Sequence, residues 1–218
     1  MSRGYLISFE GLDGSGKTTQ MALLCDWLDT CGVPYVRTRE PGGTPLGTEI
    51  RHLLFSRPDL QITPLAEAFL FQADRAQHFA TVVLPALAAG QLVITDRCYD
   101  SSIVYQGAVR GVGVELIERL SLLATQEHTP DLTILLDLDP IQARQRTSAR
   151  QDENGSRAEQ SRFDSASETF HRQLRQAFLD LAHAHPERIK VVDALQSPEH
   201  IHLQIRKLVE PFVQAMST

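Results

Sequence analysis

The chain has 218 residues, 42% of them hydrophobic and 22% charged, the composition of a globular protein with a real core. Lysine and arginine number 21 against 27 aspartates and glutamates, a net charge of −6, which argues against general nucleic-acid binding because that needs a basic surface. The apolar runs fall far short of the ~20 residues of a membrane span, no signal-peptide pattern precedes the first strand, and Cys25, Cys31 and Cys98 show no disulfide or zinc-like spacing. The expectation is one domain over residues 1–218, cytoplasmic, with no membrane or nucleic-acid partner.

In chain order, the short apolar run Tyr5–Glu10 predicts a strand, and a helical pattern from Gln20 to Thr30 follows, stopped by Gly32. A second strand, Pro34–Thr38, leads into Arg39-Glu40-Pro41-Gly42-Gly43-Thr44 and a helix over Pro45–Phe55. A long helix spans Pro64–Ala89, with Pro85 placed to kink or break it. The third strand, Leu92–Asp96, precedes a polar stretch from Ser101 to Gly107 and a helix over Val114–Thr125. Then come a strand at Leu132–Leu138, a helix at Ile141–Ala149, and an amphipathic helix from Glu168 to His185 carrying Phe170, Leu174, Phe178 and Leu181. A last strand, Lys190–Val192, and a helix from Pro198 to Met216 close the chain. Strands that read as continuous apolar runs and are separated by helices predict an α/β protein with a parallel sheet covered on both faces.

The segment between the first strand and the first helix carries chemistry. Gly11-Leu12-Asp13-Gly14-Ser15-Gly16-Lys17-Thr18, followed by Thr19, is a complete G-x-x-x-x-G-K-T loop in strand–loop–helix context. Its backbone N–H groups and the helix N-terminus can converge on a phosphate. Lys17 can reach the terminal phosphates of a nucleotide, and Thr18 can ligate Mg²⁺. Asp96-Arg97 stands at the carboxyl end of the third strand, where open parallel sheets bind ligands; the carboxylate suits Mg²⁺ and the guanidinium suits phosphate. Phe71 and Arg75 sit at i, i+4 with His78 a turn further, an aromatic face beside a cation.

One segment departs from the rest. From Arg150 to Arg162 there is a single alanine among polar, charged and glycine residues, too little apolar area to hold itself rigid. Read alone, it is equally a solvated loop or a lid whose arginines close over phosphates.

Taken in order, these stretches resemble the thymidylate kinase family of the bacterial type. The matching residues are Phe9 to Thr19, Arg39-Glu40-Pro41-Gly42-Gly43-Thr44 with Gly47 and Ile50-Arg51, Phe71-Gln72-Ala73-Asp74-Arg75, Asp96-Arg97 with Ser101, Tyr105-Gln106-Gly107, Arg162-Phe163-Asp164 and Phe170-His171-Arg172. The resemblance implies a P-loop nucleoside monophosphate kinase fold with a five-stranded parallel sheet and a lid at about 146–162. It implies transfer of the γ-phosphate of ATP to dTMP, with Mg²⁺ as cofactor and a homodimeric state. It further implies a substrate site of Asp13, Glu40, Pro41, Arg51, Phe71, Arg75, Arg97, Ser102, Tyr105 and Gln106. There Phe71 would stack on thymine, Arg75 would bond its carbonyl edge, Tyr105 would favour deoxyribose, Asp13 would accept from the 3′-hydroxyl, and Arg51 and Arg97 would hold the acceptor phosphate. Thr18 and Asp96 would serve the metal.

The acceptor phosphate is mostly dianionic at neutral pH, so the reaction needs cations rather than a general base. Some members of the family carry an arginine in the phosphate loop where this chain has Gly14. The lid is the arginine-rich segment nearby, and Arg146 and Arg150 share a helical face at i, i+4; these two join Lys17, Asp96 and Arg97 as the expected catalytic set, with Arg157 less central. Ser161 and Asp164 depart from the family pattern around the lid's closing arginine. Two other readings stand beside this one: a deoxynucleoside kinase with Glu40 as base, and a non-catalytic nucleotide-binding module.

Overall fold

Five strands, β1 (Tyr5–Glu10), β2 (Tyr35–Arg39), β3 (Leu92–Asp96), β4 (Leu132–Asp137) and β5 (Ile189–Asp193), make one sheet in the order β2-β3-β1-β4-β5. Every pairing is parallel, as the apolar strands separated by helices required. The computed structural model describes residues 3–57, 59–154 and 167–216. The helices are α1 (Lys17–Cys31), α2 (Pro45–Phe55), α3 (Pro64–His78), α4 (Leu84–Ala88), α5 (Tyr99–Ser102), α6 (Val114–Ala124), α7 (Pro140–Asn154), α8 (Glu168–Ala184) and α9 (Pro198–Met216), with π-helical turns at Phe79–Val83 and Ile103–Val109.

The central strands are apolar on both sides because helices cover both sides. Ile7, Phe9, Leu92, Ile94 and Ile134 pack with Leu24 and Leu28 of α1, Leu174 and Phe178 of α8, and Ile201 and Ile205 of α9. Leu6 and Val93, one residue out of phase, face the other way onto Ala68, Phe79, Val83, Ile103 and Ile117.

The break expected near Pro85 is present, and the larger departures from the sequence expectation are at residues 99–109 and at the end of α7. The expected helix over Pro64–Ala89 is α3, a π turn and α4. The Leu84 N–H reaches back five residues to Phe79 O, and this wider turn admits Pro85, which has no N–H to give and whose ring would clash in a regular helix. Residues 99–109, read from sequence only as a polar stretch, form α5 and a second π segment. α7 runs past the expected end at Ala149 to Asn154, through arginine, glutamine and glutamate that all favour helix.

Strand register brings the functional segments to one level. Phe9 and Arg39 both lie opposite Asp96. Beyond the strands, the Arg97 N–H donates to Phe9 O and the Glu40 N–H to Asp96 O, both at 2.9 Å. Glu10, Glu40 and Arg97 therefore emerge side by side at the carboxyl edge of the sheet, where the strand order reverses. A polar cross-link fixes α5 beneath them. Asp100 accepts from both terminal nitrogens of Arg188 (2.6 and 2.8 Å) and from Thr133 Oγ1 (2.9 Å), and Thr133 pairs with Ser8 Oγ at 2.8 Å.

Candidate active site

The phosphate loop joins β1 to α1 and turns straight into the helix, the Gln20 N–H donating to Gly16 O at 3.0 Å. That is why α1 begins at Lys17 rather than at Gln20. Gly14 has φ 86, and a Cβ there would come within 2.2 Å of Ala143 O and 2.7 Å of Thr147 Oγ1. α7 thus lies directly against the phosphate loop, and no side chain fits between them. Lys17 is folded over the loop, its ammonium donating to Gly11 O (3.1 Å) and Leu12 O (3.2 Å) and standing 3.6 Å from Asp13 Oδ1. Burial, reinforced by Arg97, pushes the Lys17 pKa down. Thr18 is exposed on the first helical turn.

Arg97 is the electrostatic hub. Its Nη2 donates to Asp13 Oδ1 at 2.8 Å and to Tyr105 Oη at 3.4 Å, its Nη1 donates to Ser101 Oγ at 2.9 Å, and its guanidinium lies 5.3 Å from the centre of the Tyr105 ring. Burial tends to raise the Asp13 pKa, but Arg97 and Lys17 overcome it and hold the carboxyl well below the usual range. Arg97 takes a left-handed backbone, φ 70, unusual for a residue with a Cβ. Two neighbours hold that turn: Thr95 Oγ1 donates to Arg97 O at 2.8 Å, and the buried Glu10 accepts from the Cys98 N–H (2.8 Å), the Ser101 N–H (3.3 Å) and Ser101 Oγ (2.5 Å). Burial pushes the Glu10 pKa up to about 7, against the pull of Arg97.

Asp96 Oδ1 is buried and has no hydrogen-bond partner among the described residues. Such an unpaired buried acceptor fits Mg²⁺, which takes few protein oxygens and the rest from phosphate and water, and Thr18, exposed on α1, offers a hydroxyl of the right kind.

Between the loops lies an open cleft. All ten residues expected at the substrate site line it: Asp13, Glu40, Pro41, Arg51, Phe71, Arg75, Arg97, Ser102, Tyr105 and Gln106, joined by Phe55, Cys98 and Ser101. The π segment matters here. Its wide turn lets the consecutive residues Tyr105 and Gln106 both face the cleft below Ser101 and Ser102. Arg51 lines the cleft, with Nη1 donating to Pro41 O at 3.3 Å and its guanidinium 5.1 Å from the centre of the Phe55 ring. Cys98 is fully buried, and burial pushes its thiol pKa far up, so it is a packed thiol.

The floor of the cleft is a buried ionic network. Arg75 is 1% exposed and Glu40 4%. Arg75 Nε donates to Glu40 Oε2 at 2.9 Å, Nη1 to Gln72 Oε1 at 3.0 Å and, weakly, to Ser121 Oγ at 3.4 Å, and Nη2 to Ser102 Oγ at 3.1 Å. Among the described residues these contacts engage four of the five guanidinium hydrogens and leave one on Nη2. Glu40 Oε1 is met by His78 Nδ1 at 2.9 Å. Burial opposes ionisation of Glu40, but Arg75 and His78 prevail and lower its pKa. Both Glu40 oxygens are thus engaged by protein.

Sequence reasoning gave no role to Glu10, Gln72, Asp74 or Ser121. Glu10 carried one faint signal, an acid ending an otherwise apolar buried strand. Asp74 accepts from the Gly42 N–H at 3.0 Å and so holds the loop after β2; burial and the nearby Glu40 push its pKa up to about 6. Of the expected lid residues, Arg146 lies part-exposed on α7. The Arg150 side chain and residues 155–166, with Arg157, Ser161, Arg162, Phe163 and Asp164, lie outside the described residues.

With the geometry in hand, comparison with known proteins gives one answer. A family model described as thymidylate kinase matches residues 9–205. A thymidylate kinase of Symbiobacterium thermophilum is 45% identical over 204 residues, 94% of this chain and 92% of its own length. One from Clavibacter michiganensis subsp. michiganensis is 48% identical over 212 residues, 97% of each chain. The crystal structure of thymidylate kinase from Ehrlichia chaffeensis superimposes with a TM-score of 0.75 at 33% identity, covering 95% of this chain and 99% of that one.

Proposed function

The chain belongs to the thymidylate kinase family, and we propose that it performs that family's reaction, moving the γ-phosphate of ATP to dTMP to give dTDP and ADP. The observation that carries the choice of acceptor is the state of Glu40. A deoxynucleoside kinase must deprotonate a hydroxyl, and Glu40 is the carboxylate it would use. With one oxygen on Arg75 and the other near His78, and with a lowered pKa, Glu40 is a poor base. A phosphate dianion needs no base, and the two-sided cleft argues against a mere nucleotide-binding module.

On this reading the phosphate loop and Lys17 hold the donor's phosphates. Phe71 stacks on the base, and the remaining Arg75 hydrogen meets a base carbonyl, with Ser102 and Gln106 completing that edge. Tyr105 packs under the sugar, and Asp13 accepts from the 3′-hydroxyl. Arg51 and Arg97 receive the acceptor phosphate. Lys17 and Arg97 lower the cost of bringing two polyanions into line, the main demand of phosphoryl transfer. Thr18 and Asp96 would hold Mg²⁺, which supplies charge neutralisation at the transferring phosphate. Arg146 and Arg150, on the helix packed against Gly14, add cations in place of a loop arginine, as part of a lid at about 146–162 in a single kinase domain.

A homodimer is part of the proposal. α3 packs against α2 on one side and α6 on the other. All three expose apolar side chains: Leu46 on α2, Leu65 and Phe69 on α3, Leu116 and Leu123 on α6, with Phe69 53% and Leu123 74% exposed. Such a patch is what a second copy would cover. The free cysteines Cys25, Cys31 and Cys98 suit a reducing cytoplasm, and among the described residues no helix is long and apolar enough to cross a membrane.

The test is an acceptor screen. Purified protein with Mg²⁺ and ATP is given thymidine, dTMP and the other nucleoside monophosphates separately, and ADP release is followed. Fast turnover of dTMP and none of thymidine is expected; fast turnover of thymidine would overturn the reading.

A further inference from the structure

His78 lies outside the cleft lining and is completely buried, yet it touches the one carboxylate that orients Arg75. Its Nδ1 is 2.9 Å from Glu40 Oε1, and its Nε2 is 2.7 Å from Thr38 Oγ1. An ionised carboxylate only accepts, so Nδ1 carries the proton and donates. The ring is also wedged in place: a Cβ on Gly43 would come within 2.6 Å of it. β2, through Thr38, and the loop after it, through Gly43, thereby fix the imidazole, and the imidazole fixes one Glu40 oxygen.

A carboxylate held at one oxygen can pivot about its Cγ–Cδ bond; one held at both cannot. Arg75 Nε donates to the other oxygen, so the plane of Glu40 helps set the plane of the guanidinium, together with the contacts to Gln72, Ser121 and Ser102. That plane decides where the single uncommitted Nη2 hydrogen points. We propose that His78, itself oriented by Thr38, is a positioning residue for base selection: by locking Glu40 it aims the Arg75 donor at a carbonyl on the pyrimidine edge. The inference rests on the thymidylate kinase reading and deepens it. A ring carbonyl accepts from this donor, whereas an exocyclic amine at the same place presents its own hydrogens. dCMP is therefore the discriminating competitor for dTMP.

The experiment measures kcat/KM for dTMP and dCMP, and KM for ATP, in the wild type, His78→Leu, His78→Asn and Thr38→Val. Asparagine places an amide N–H near the position of Nδ1 and keeps the donor; leucine removes it. His78→Leu is expected to raise KM for dTMP about tenfold and to shrink the dTMP-to-dCMP preference about tenfold, with KM for ATP unchanged. His78→Asn should restore both to within about threefold, and Thr38→Val should move both in the same direction as His78→Leu but less. A purely structural histidine would lower melting temperature and leave the preference alone. An unchanged preference in whichever of His78→Leu and Thr38→Val folds overturns the inference. A wild type that ignores dTMP overturns the functional reading instead.

Discussion

Arg97 Nη2 donates to Asp13 Oδ1 at 2.8 Å, so one guanidinium ties the end of β3 to the phosphate loop. The same side chain reaches Ser101 and lies over Tyr105. Lysine cannot reproduce this, since a point charge lacks the planar fork that serves several acceptors at once. Arg97→Lys is expected to lower kcat/KM for dTMP on the order of 10²-fold, about 2.7 kcal/mol of transition-state stabilisation. Steady-state kinetics and a thermal melt check it. Activity lost only in step with stability would remove Arg97 from the acceptor site.

Glu10 gives a stability prediction with a definite sign. Its pKa is raised to about 7 in the folded protein, against ~4.3 in an unfolded chain. Between these values the folded state binds more protons than the unfolded one, so stability falls as pH rises through the window. Urea denaturation at pH near 5 and near 8 should show the wild type losing up to about 3 kcal/mol relative to Glu10→Gln. Parallel behaviour of the two proteins would mean that Glu10 is ionised throughout, held by its three donors and Arg97.

Arg150→Ala tests the lid assignment. An arginine that meets the transferring phosphate acts mostly in the transition state, so turnover should drop on the order of 10³-fold while the affinity for ATP changes little. Turnover near wild type would shift the role to another cation.

Phe69→Asp tests the assembly. A charge at the exposed Phe69 of α3 should convert the proposed dimer to monomer in sedimentation velocity, with helical circular dichroism preserved. A wild type that sediments as monomer at micromolar concentration would refute the homodimer outright.

The strands and the phosphate loop were legible because their signals are local: apolar runs, a glycine spacing, a lysine and a threonine. The cleft residues were legible through the family resemblance, and all ten of them line one cavity. What escaped was set by long-range packing. Whether Glu40 is a free base or a clamped anion depends on α3 approaching the loop after β2, which no window of sequence states. Nor does the sequence announce that residues 103–109 wind as a π turn, the feature that puts Tyr105 and Gln106 on one wall. Glu10 looked like the end of a strand and proved to be the anchor for the Cys98 and Ser101 amides.

The contact of Gly14 with Ala143 and Thr147 bears on how such enzymes can diversify. A loop arginine and a helix seated on the loop compete for the same volume, so on the proposed reading of Arg146 and Arg150 they are alternative solutions to one problem. Gly14→Arg would displace the platform of Arg146 and Arg150 rather than add a third cation. Passing from one arrangement to the other demands that α7 retreat first, a change of backbone placement that no single codon supplies.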